Sequence, residues 1–180
     1  GLRVRQLRFS PVHLRRIVQI GLPAAVNGVL YSVSNLLIQS RINSFGTPTV
    51  AAWTAYGKLD GLFWMTIGAF GVSITTFVGQ NFGAGKFDRV KKSVRVCLAM
   101  AAGTTLALSG FLMLLGRPLF LLFTSEAIVV ERGLIVQRFL VPFFITYVCI
   151  EVYSGAMRGA GESLRPMIMT LLGVCVLRVI

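Results

Sequence analysis

Charged residues are scarce in this 180-residue chain, at 13% of the composition, and only six residues are acidic. An average soluble domain has about 25% charged residues. Hydrophobic residues make up 55% of the chain, and its mean hydropathy is +0.77. A soluble chain of this size cannot bury so much apolar surface. The composition therefore excludes disorder, collagen and coiled coil, and it favours a protein embedded in lipid.

Histidine and cysteine are also rare. The chain has one histidine and three cysteines, Cys97, Cys149 and Cys175, all of which lie within apolar runs. Their spacing fits neither a zinc knuckle nor a disulfide framework, so we expect no metal and no cofactor. No set of nucleophile, base and orienting residue can be assembled, so we expect no enzymatic activity. A membrane-embedded enzyme would need a cluster of His, Cys or carboxylates that this sequence lacks.

Five apolar segments organise the chain, and we predict each to be a helix. The first four are long enough to cross about 30 Å of hydrocarbon at 1.5 Å per residue. The fifth has only 15 residues, so we expect the chain to be a piece of a longer polypeptide. The pattern predicts an all-α integral membrane protein, a multi-helix transmembrane bundle. The predicted helices are, approximately, residues 17–42, 50–78, 94–115, 134–156 and the truncated 166–180.

Glycine and proline mark the predicted connections between these helices. Between the third and fourth helices, residues 119–133 mix acidic and apolar side chains, which favours a short interfacial helix on the outer face, with a solvated loop as the alternative. Pro166 suits the first turn of the last helix. The connections carry Gly46 and Pro48, then Gly79, Gly83 and Gly85, then Gly116 and Pro118, and finally Gly159 and Gly161.

Basic residues outnumber acidic ones by 18 to six, which gives a net charge of +12. A nucleic-acid-binding protein would gather them in a patch on a soluble domain, whereas here they lie between apolar segments, as is typical of membrane topology. The positive-inside rule then places the N-terminus in the cytoplasm. Twelve basic residues lie on that side: Arg3, Arg5, Arg8, Arg15, Arg16, Lys86, Arg89, Lys91, Lys92, Arg95, Arg158 and Arg165. The opposite side has Arg117 and Arg132, with Arg41 and Arg138 at helix ends.

Asp60 is an ionisable residue about ten residues into the second predicted helix. This position is about 15 Å from the outer end of that helix, near the bilayer midplane. Charged groups at this depth are costly and usually mark an ion or substrate pathway. The alternative is a structural ion pair with Lys58, but two residues apart on a helix point to opposite sides.

Aromatic residues accompany Asp60 on one face of that helix. Tyr56 lies one turn before it, and Phe63 and Trp64 continue the same side. Such a face can bind an amphipathic cation through cation–π attraction and a carboxylate counter-charge. Ordinary aromatic packing between helices is the alternative. Gly57 and Gly61 have the small-xxx-small spacing that lets a second helix approach closely, and we expect them to serve packing.

A polar stripe runs along the first predicted helix, with one residue per turn. In lipid such a stripe must face protein or water, so it either lines a cavity or forms hydrogen bonds between helices. The stripe consists of Asn27, Tyr31, Asn35 and Gln39.

On the fourth predicted helix, Glu151 follows Tyr147 by one turn and precedes Arg158 by two turns. The spacing favours an ion pair between Glu151 and Arg158, with a role for Glu151 as a proton or cation ligand as the alternative. Arg178, in the truncated helix, needs a partner as well.

The segment 79–86 has a glycine-rich sequence, Gly-Gln-Asn-Phe-Gly-Ala-Gly-Lys. A phosphate-binding loop needs glycine, four residues and then Gly-Lys-Ser/Thr, but Gln80 occupies the first glycine position and Phe87 follows the lysine. Asp88 stands where a dinucleotide fingerprint would need its third glycine. The segment therefore predicts no nucleotide site.

Taken together, these motifs resemble the multidrug and toxic compound extrusion (MATE) family of cation-coupled antiporters. The resemblance covers nearly the whole chain, and the glycine-rich loop and the Arg-Gly-x-Gly-acid turn are its most specific parts. Its motifs are Gly21–Pro23, Asn43–Gly46, Val78–Gly85 with Gly79, Gln80, Gly83 and Gly85, and Met157–Glu162 with Arg158, Gly159 and Gly161.

The resemblance implies one lobe of a two-lobe, 12-helix transporter in the plasma (bacterial inner) membrane, more similar to the second lobe, helices seven to eleven. It implies alternating access, with Na⁺ or H⁺ entering as an amphipathic, often cationic, compound leaves. The partners would then be small amphipathic cations, the lipid bilayer and the first lobe of the same chain, and no nucleic acid. A lipid-linked saccharide flippase of the same superfamily is the alternative, and it should line its cavity with arginines.

Some members of that family have coupling carboxylates in helices seven and ten. Matching of the motifs places Tyr31 and Tyr147 at those positions. Either Asp60 and Glu151 take over the coupling, or the coupling resides in the first lobe.

Overall fold

The computed structural model describes residues 11–170, apart from the side chains of Val12, His13, Arg16, Ile20, Pro23, Ala24, Asn27 and Thr170. These residues form helices joined by short turns, and no strand occurs among them. The helices are α1 (Pro11–Asn43), α2 (Thr47–Gly83), α3 (Phe87–Leu121), α4 (Ala127–Leu140), α5 (Phe144–Gly159) and α6 (Leu164–Thr170), with a 3-10 turn at Val141–Phe143 between α4 and α5.

Three stretches of this bundle are long and apolar enough to cross a membrane: Thr47–Gly83, Phe87–Leu121 and Ala127–Gly159. They contain the second, third and fourth predicted spans. The first predicted span lies within α1 and stays a prediction. Of the fifth, the described residues include only α6, which starts at Leu164 and has Pro166 in its first turn; the rest of 166–180 and Arg178 lie outside them.

Helix α2 is the centre of the bundle and packs against α5, α3, α4 and, to a smaller extent, α1. Its buried face includes Phe63, Ile67 and Val78, which belong to the same apolar core as Val148 and Val152 of α5. Most of the side chains that α1 presents are exposed. Residues of α2 that lie between α1 and α5 line a cavity shared by these helices.

The predicted interfacial helix at 119–133 is wrong. Helix α3 continues to Leu121, the chain turns at residues 122–126, and α4 begins at Ala127. Gly116 lies inside α3, where its role is packing rather than turning. A Cβ atom there would lie 2.8 Å from the Gln137 side-chain nitrogen and 2.9 Å from a methyl carbon of Leu134. The glycine therefore lets α4 approach α3 closely.

The fourth predicted helix is divided in the structure. The 3-10 turn Val141–Phe143 separates α4 from α5, and Pro142 lies in it. Proline has no backbone N–H and its ring clashes with the preceding helical turn, so it kinks or breaks a helix at this point. The break places the start of α5 beside the aromatic face of α2.

The predicted close approach at Gly57 and Gly61 is also wrong within the described residues, since a Cβ atom at either position would meet nothing within 4 Å. The close approach occurs instead where Gly155 and Gly159 of α5 meet α2. A Cβ atom at Gly155 would lie 3.0 Å from the carbonyl oxygen of Gly71. These two α5 glycines have the same small-xxx-small spacing, so the motif operates, but on a different helix.

Helices α2 and α5 end in the same kind of turn, and the sequence Gly-Ala-Gly occurs at both ends. At the end of α2, Lys86 N–H donates to Asn81 C=O at 2.8 Å, and Gly85 has a φ of +70°. At the end of α5, Glu162 N–H donates to Met157 C=O at 3.0 Å, and Gly161 has a φ of +90°. These are Schellman caps, whose left-handed residue is most easily glycine.

Candidate functional site: an aromatic cavity with a carboxylate

A cavity of about 230 Å³ lies where α2 meets α1 and the α4–α5 junction. Its wall is predominantly aromatic and includes one carboxylate. No lysine or arginine belongs to this lining. The lining residues are Tyr31 of α1, Trp53, Tyr56, Asp60, Phe63 and Trp64 of α2, and Leu140, Phe143, Phe144 and Tyr147 from the junction.

Asp60 is half-buried in this wall, and its neighbours on α2 hold its two oxygens. The indole N–H of Trp64 donates to Oδ2 at 2.6 Å, and the hydroxyl of Tyr56 donates to Oδ1 at 3.5 Å. Tyr56, Asp60 and Trp64 lie on successive turns of one face of α2, as predicted from their spacing. Lys58 is exposed and lies outside the cavity lining. Because the donors lie on its own helix, the carboxylate has a fixed orientation.

Rings from three helices surround this carboxylate. The ring centroids of Trp64 and Tyr147 are 4.7 Å apart in an edge-to-face arrangement, and those of Tyr31 and Trp64 are 6.1 Å apart. Phe63 stacks on Phe144 with centroids 4.0 Å apart, which joins α2 to α5 in the wall of the cavity. Aromatic faces beside a carboxylate form a site that attracts an organic cation, because ring quadrupoles and the negative charge act together.

Only part of the predicted polar stripe of α1 lines the cavity. Tyr31 lines the cavity, whereas Asn35 is exposed and outside the lining. Gln39 donates to Asn43 of its own helix at 3.0 Å. The side chain of Asn27 lies outside the described residues. Of the described stripe, Tyr31 is therefore the residue that belongs to the site.

Glu151 lies elsewhere, in the interface of α5 with α2. Its Oε1 accepts a hydrogen bond from Arg158 Nη2 at 2.8 Å, which confirms the predicted ion pair. The carboxylate packs against Gly71, where a Cβ atom would collide with it. Tyr147, one turn earlier on α5, lines the aromatic cavity. Tyr147 and Glu151 therefore lie in different regions of the bundle.

The two glycine motifs meet each other at the far end of α2. A Cβ atom at Gly159 would lie 3.1 Å from Gly79 N and 3.0 Å from the Cβ of Val78. Gly83 and Gln80 are exposed, and the carbonyl of Gln80 accepts the N–H of Ala84 in the cap of α2. The motifs therefore join the ends of α2 and α5, away from the carboxylate cavity.

The sequence reasoning missed four residues of the cavity: Trp53, Leu140, Phe143 and Phe144. Three of them flank Pro142, and a proline within an apolar segment is the signal that could have located them. Trp53 lies one turn before Tyr56 and extends the aromatic face toward the start of α2. Among the side chains that the structure describes, no three His, Cys, Asp or Glu residues gather as they would around a metal ion.

These observations define a multi-pass, helical membrane protein whose described residues enclose a cavity with one carboxylate in an aromatic wall. The MatE family model matches residues 23–180, and the chain belongs to the MATE family of transporters.

Curated relatives and solved structures agree with this family. The chain is 25% identical over 177 residues to the probable multidrug resistance protein YoeA of Bacillus subtilis, covering 94% of this chain and 37% of that protein. It is 24% identical over 160 residues to the probable multidrug resistance protein NorM of Thermotoga maritima, covering 89% and 34%.

A MATE family transporter of the MOP superfamily, solved in an outward-facing conformation, has the same fold as this chain. The TM-score is 0.89 at 22% sequence identity, over 99% of this chain and 40% of that structure. The chain thus spans a little over a third of the length of the proteins it matches.

Proposed function

We propose that this chain forms one lobe of a secondary active transporter that exports amphipathic, cationic compounds in exchange for Na⁺ or H⁺ by alternating access. The observation that carries this proposal is the cavity of about 230 Å³ in which Asp60 is the carboxylate and Tyr31, Trp64 and Tyr147 supply ring faces. The family membership supports a transporter, and the lining supports the class of solute.

The charge of the lining favours cations over anions. A carboxylate beside aromatic rings attracts organic cations, and its field repels phosphates and carboxylates. A flippase for lipid-linked saccharides would need arginines in its cavity. Among the described residues, Arg41 and Lys58 are exposed and lie outside the lining, so this alternative has no support from the site.

Asp60 also offers a physical basis for exchange. A single carboxylate can neutralise either a bound cationic compound or a coupling Na⁺ or H⁺, so the two ligands would compete for one charge. Glu151 is already neutralised by Arg158 at 2.8 Å, which makes it the weaker candidate for coupling. The coupling carboxylate of this lobe is therefore assigned to Asp60.

The chain is assigned to the second lobe of a two-lobe transporter in the plasma membrane. Twelve basic residues lie on the side of the membrane that holds the N-terminus and the two Gly-Ala-Gly turns, and this excess assigns that side to the cytoplasm. Exchange by rocking of two lobes would alternately open the aromatic cavity to either side.

The test uses the full-length polypeptide that carries this chain, in everted membrane vesicles. Ethidium transport is followed by fluorescence while a Na⁺ gradient and a pH gradient are imposed separately. Transport driven by one gradient is the expected result, and it identifies the coupling ion. Transport under neither gradient, with the protein present and folded, would contradict the proposal.

A further inference from the structure

A second, larger cavity of about 460 Å³ lies between α2 and α3, on the part of these helices that the carboxylate site does not use. One end of it is basic, with Arg89 and Lys92. The remainder is predominantly apolar, with two serines, Ser73 and Ser93, among Phe70, Ile74, Phe77, Val96, Cys97 and Met100. Its volume is within the range of sites that hold drug-sized or lipid-sized ligands. The cavity thus has one charged end and one predominantly apolar end.

The two ends are separated along the helix axis. Arg89, Lys92, Val96 and Met100 follow one face of α3, and the helix rises about 16 Å over the eleven residue steps from Arg89 to Met100. One leaflet of the hydrocarbon core is about 15 Å thick. Helix α3 begins at Phe87, so the basic residues occupy its first two turns, at the end that the proposed orientation places at the cytoplasmic surface. The cavity therefore matches the depth of a single leaflet.

The basic end has no acidic partner within the protein's described part. The ion pairs there join Arg158 to Glu151 and Arg165 to Glu162, so Arg89 and Lys92 have no carboxylate within 4.0 Å. The apolar wall is open: Phe77 is 46% exposed, Val96 48% and Met100 58%. The basic side chains lack a counter-anion and the apolar wall lacks a cover.

We propose that this cavity binds an anionic phospholipid of the cytoplasmic leaflet. Its phosphate contacts Arg89 and Lys92, and one acyl chain lies along Phe77, Val96 and Met100. Basic pockets between transmembrane helices on the cytoplasmic side recognise anionic headgroups in this way. The site is separate from the aromatic cavity, because the two linings have no residue in common.

The experiment uses the full-length polypeptide in detergent, with dioleoyl phosphatidylglycerol as the probe and dioleoyl phosphatidylcholine and inorganic phosphate as comparisons. Native mass spectrometry measures retained lipid. R89Q/K92Q should reduce retention of phosphatidylglycerol by about 30-fold, because each basic residue contributes about fivefold to the affinity for an anionic lipid. K91Q/R95Q is the matched control, since it removes the same charge from the same helix at exposed positions outside the lining. V96W should fill the apolar end and reduce retention without a change of charge.

Cys97 lines the cavity and reports its occupancy, with exposed Cys149 as an internal reference. Phosphatidylglycerol should slow alkylation of Cys97 by maleimide relative to Cys149, and inorganic phosphate should not. Three results would overturn the proposal: equal losses in the two double variants, equal protection by free phosphate, or a Cys97 that is unreactive with and without lipid. If R89Q/K92Q does not fold, K92Q against K91Q, together with V96W, provides the same comparison.

Discussion

The indole N–H of Trp64 donates a 2.6 Å hydrogen bond to Oδ2 of Asp60, one helical turn earlier on α2. A hydrogen bond to a carboxylate is stronger than one between neutral groups, and here it fixes both partners. The same indole ring packs edge-to-face against Tyr147 of α5. Trp64 thus connects the charge of the site to the neighbouring helix α5.

Replacement of Asp60 by asparagine should abolish gradient-driven ethidium efflux by the full-length transporter. The substitution keeps the size of the side chain and removes its charge, so we expect ethidium to bind about tenfold or more weakly. Efflux from everted vesicles and equilibrium binding of ethidium measure the two effects. Asp88→Asn is the control, because Asp88 is exposed in the first turn of α3. Efflux of D60N at the wild-type rate would refute the role of Asp60.

Two substitutions separate the contribution of the Trp64 ring from that of its indole N–H. Trp64→Phe keeps an aromatic face and removes the donor to Asp60, so efflux should fall while most of the ethidium affinity is retained. Trp64→Leu removes the ring as well, and the affinity should fall about three- to tenfold further, the size of a cation–π contribution. Trp53→Phe is the control, since Trp53 lines the same cavity but donates no hydrogen bond to Asp60. Equal affinities for W64F and W64L would argue against a cation–π contact.

Gly159→Ala should destabilise the protein by about 1–3 kcal/mol, the cost of overpacking a tight interface. The added Cβ would lie 3.1 Å from Gly79 N and 3.0 Å from the Cβ of Val78. Thermal unfolding of the detergent-solubilised full-length protein measures the effect. Gly57→Ala is the matched control, because its Cβ would enter open space; it should be neutral or stabilising by up to about 1 kcal/mol. A reversed order of the two variants would show that the interface of α2 with α5 is packed differently.

The pair of Glu151 and Arg158 should behave as a coupled unit in a double-mutant cycle. Their side chains are only 20% and 35% exposed, so loss of one partner leaves a poorly solvated charge. We expect a coupling energy of about 1–3 kcal/mol between Glu151→Gln and Arg158→Gln in thermal unfolding.

The control for this cycle is the exposed pair of Glu162 and Arg165, at 3.9 Å, whose coupling should be about 0–0.5 kcal/mol. The Glu151→Gln variant also distinguishes a structural role of Glu151 from a role in ion coupling. If Glu151→Gln abolished ion coupling while leaving the unfolding temperature unchanged, Glu151 would be a coupling ligand rather than a structural partner.

Local periodicity made much of the site predictable. Tyr56, Asp60 and Trp64 lie on one helix face because of their four-residue spacing, and the hydrogen bonds between them need no second helix. The seven residues between Glu151 and Arg158 likewise place both side chains on one face of α5. Such relationships depend on helical geometry alone, which the sequence pattern reports directly.

Helix ends were less predictable, because hydropathy marks the apolar segment and not the hydrogen-bonded helix. Helix α3 begins at Phe87 rather than near residue 94, since the intervening basic residues keep helical geometry while their charged ends reach outward. It ends at Leu121 rather than near residue 115, past Gly116 and Pro118. Both residues resemble turn signals in the sequence, yet Gly116 is needed where Gln137 packs against α3.

The sequence by itself determined that the chain is a membrane-embedded helical bundle of the MATE type, and it determined the carboxylate and aromatic face of α2. Both follow from composition and spacing within one helix. Only the tertiary structure decided which glycine pair admits a neighbouring helix, since Gly57/Gly61 and Gly155/Gly159 have the same spacing. It also decided that Tyr31 and Tyr147 meet at Trp64. Contacts between helices depend on how entire faces pack against each other, and no local pattern contains that information.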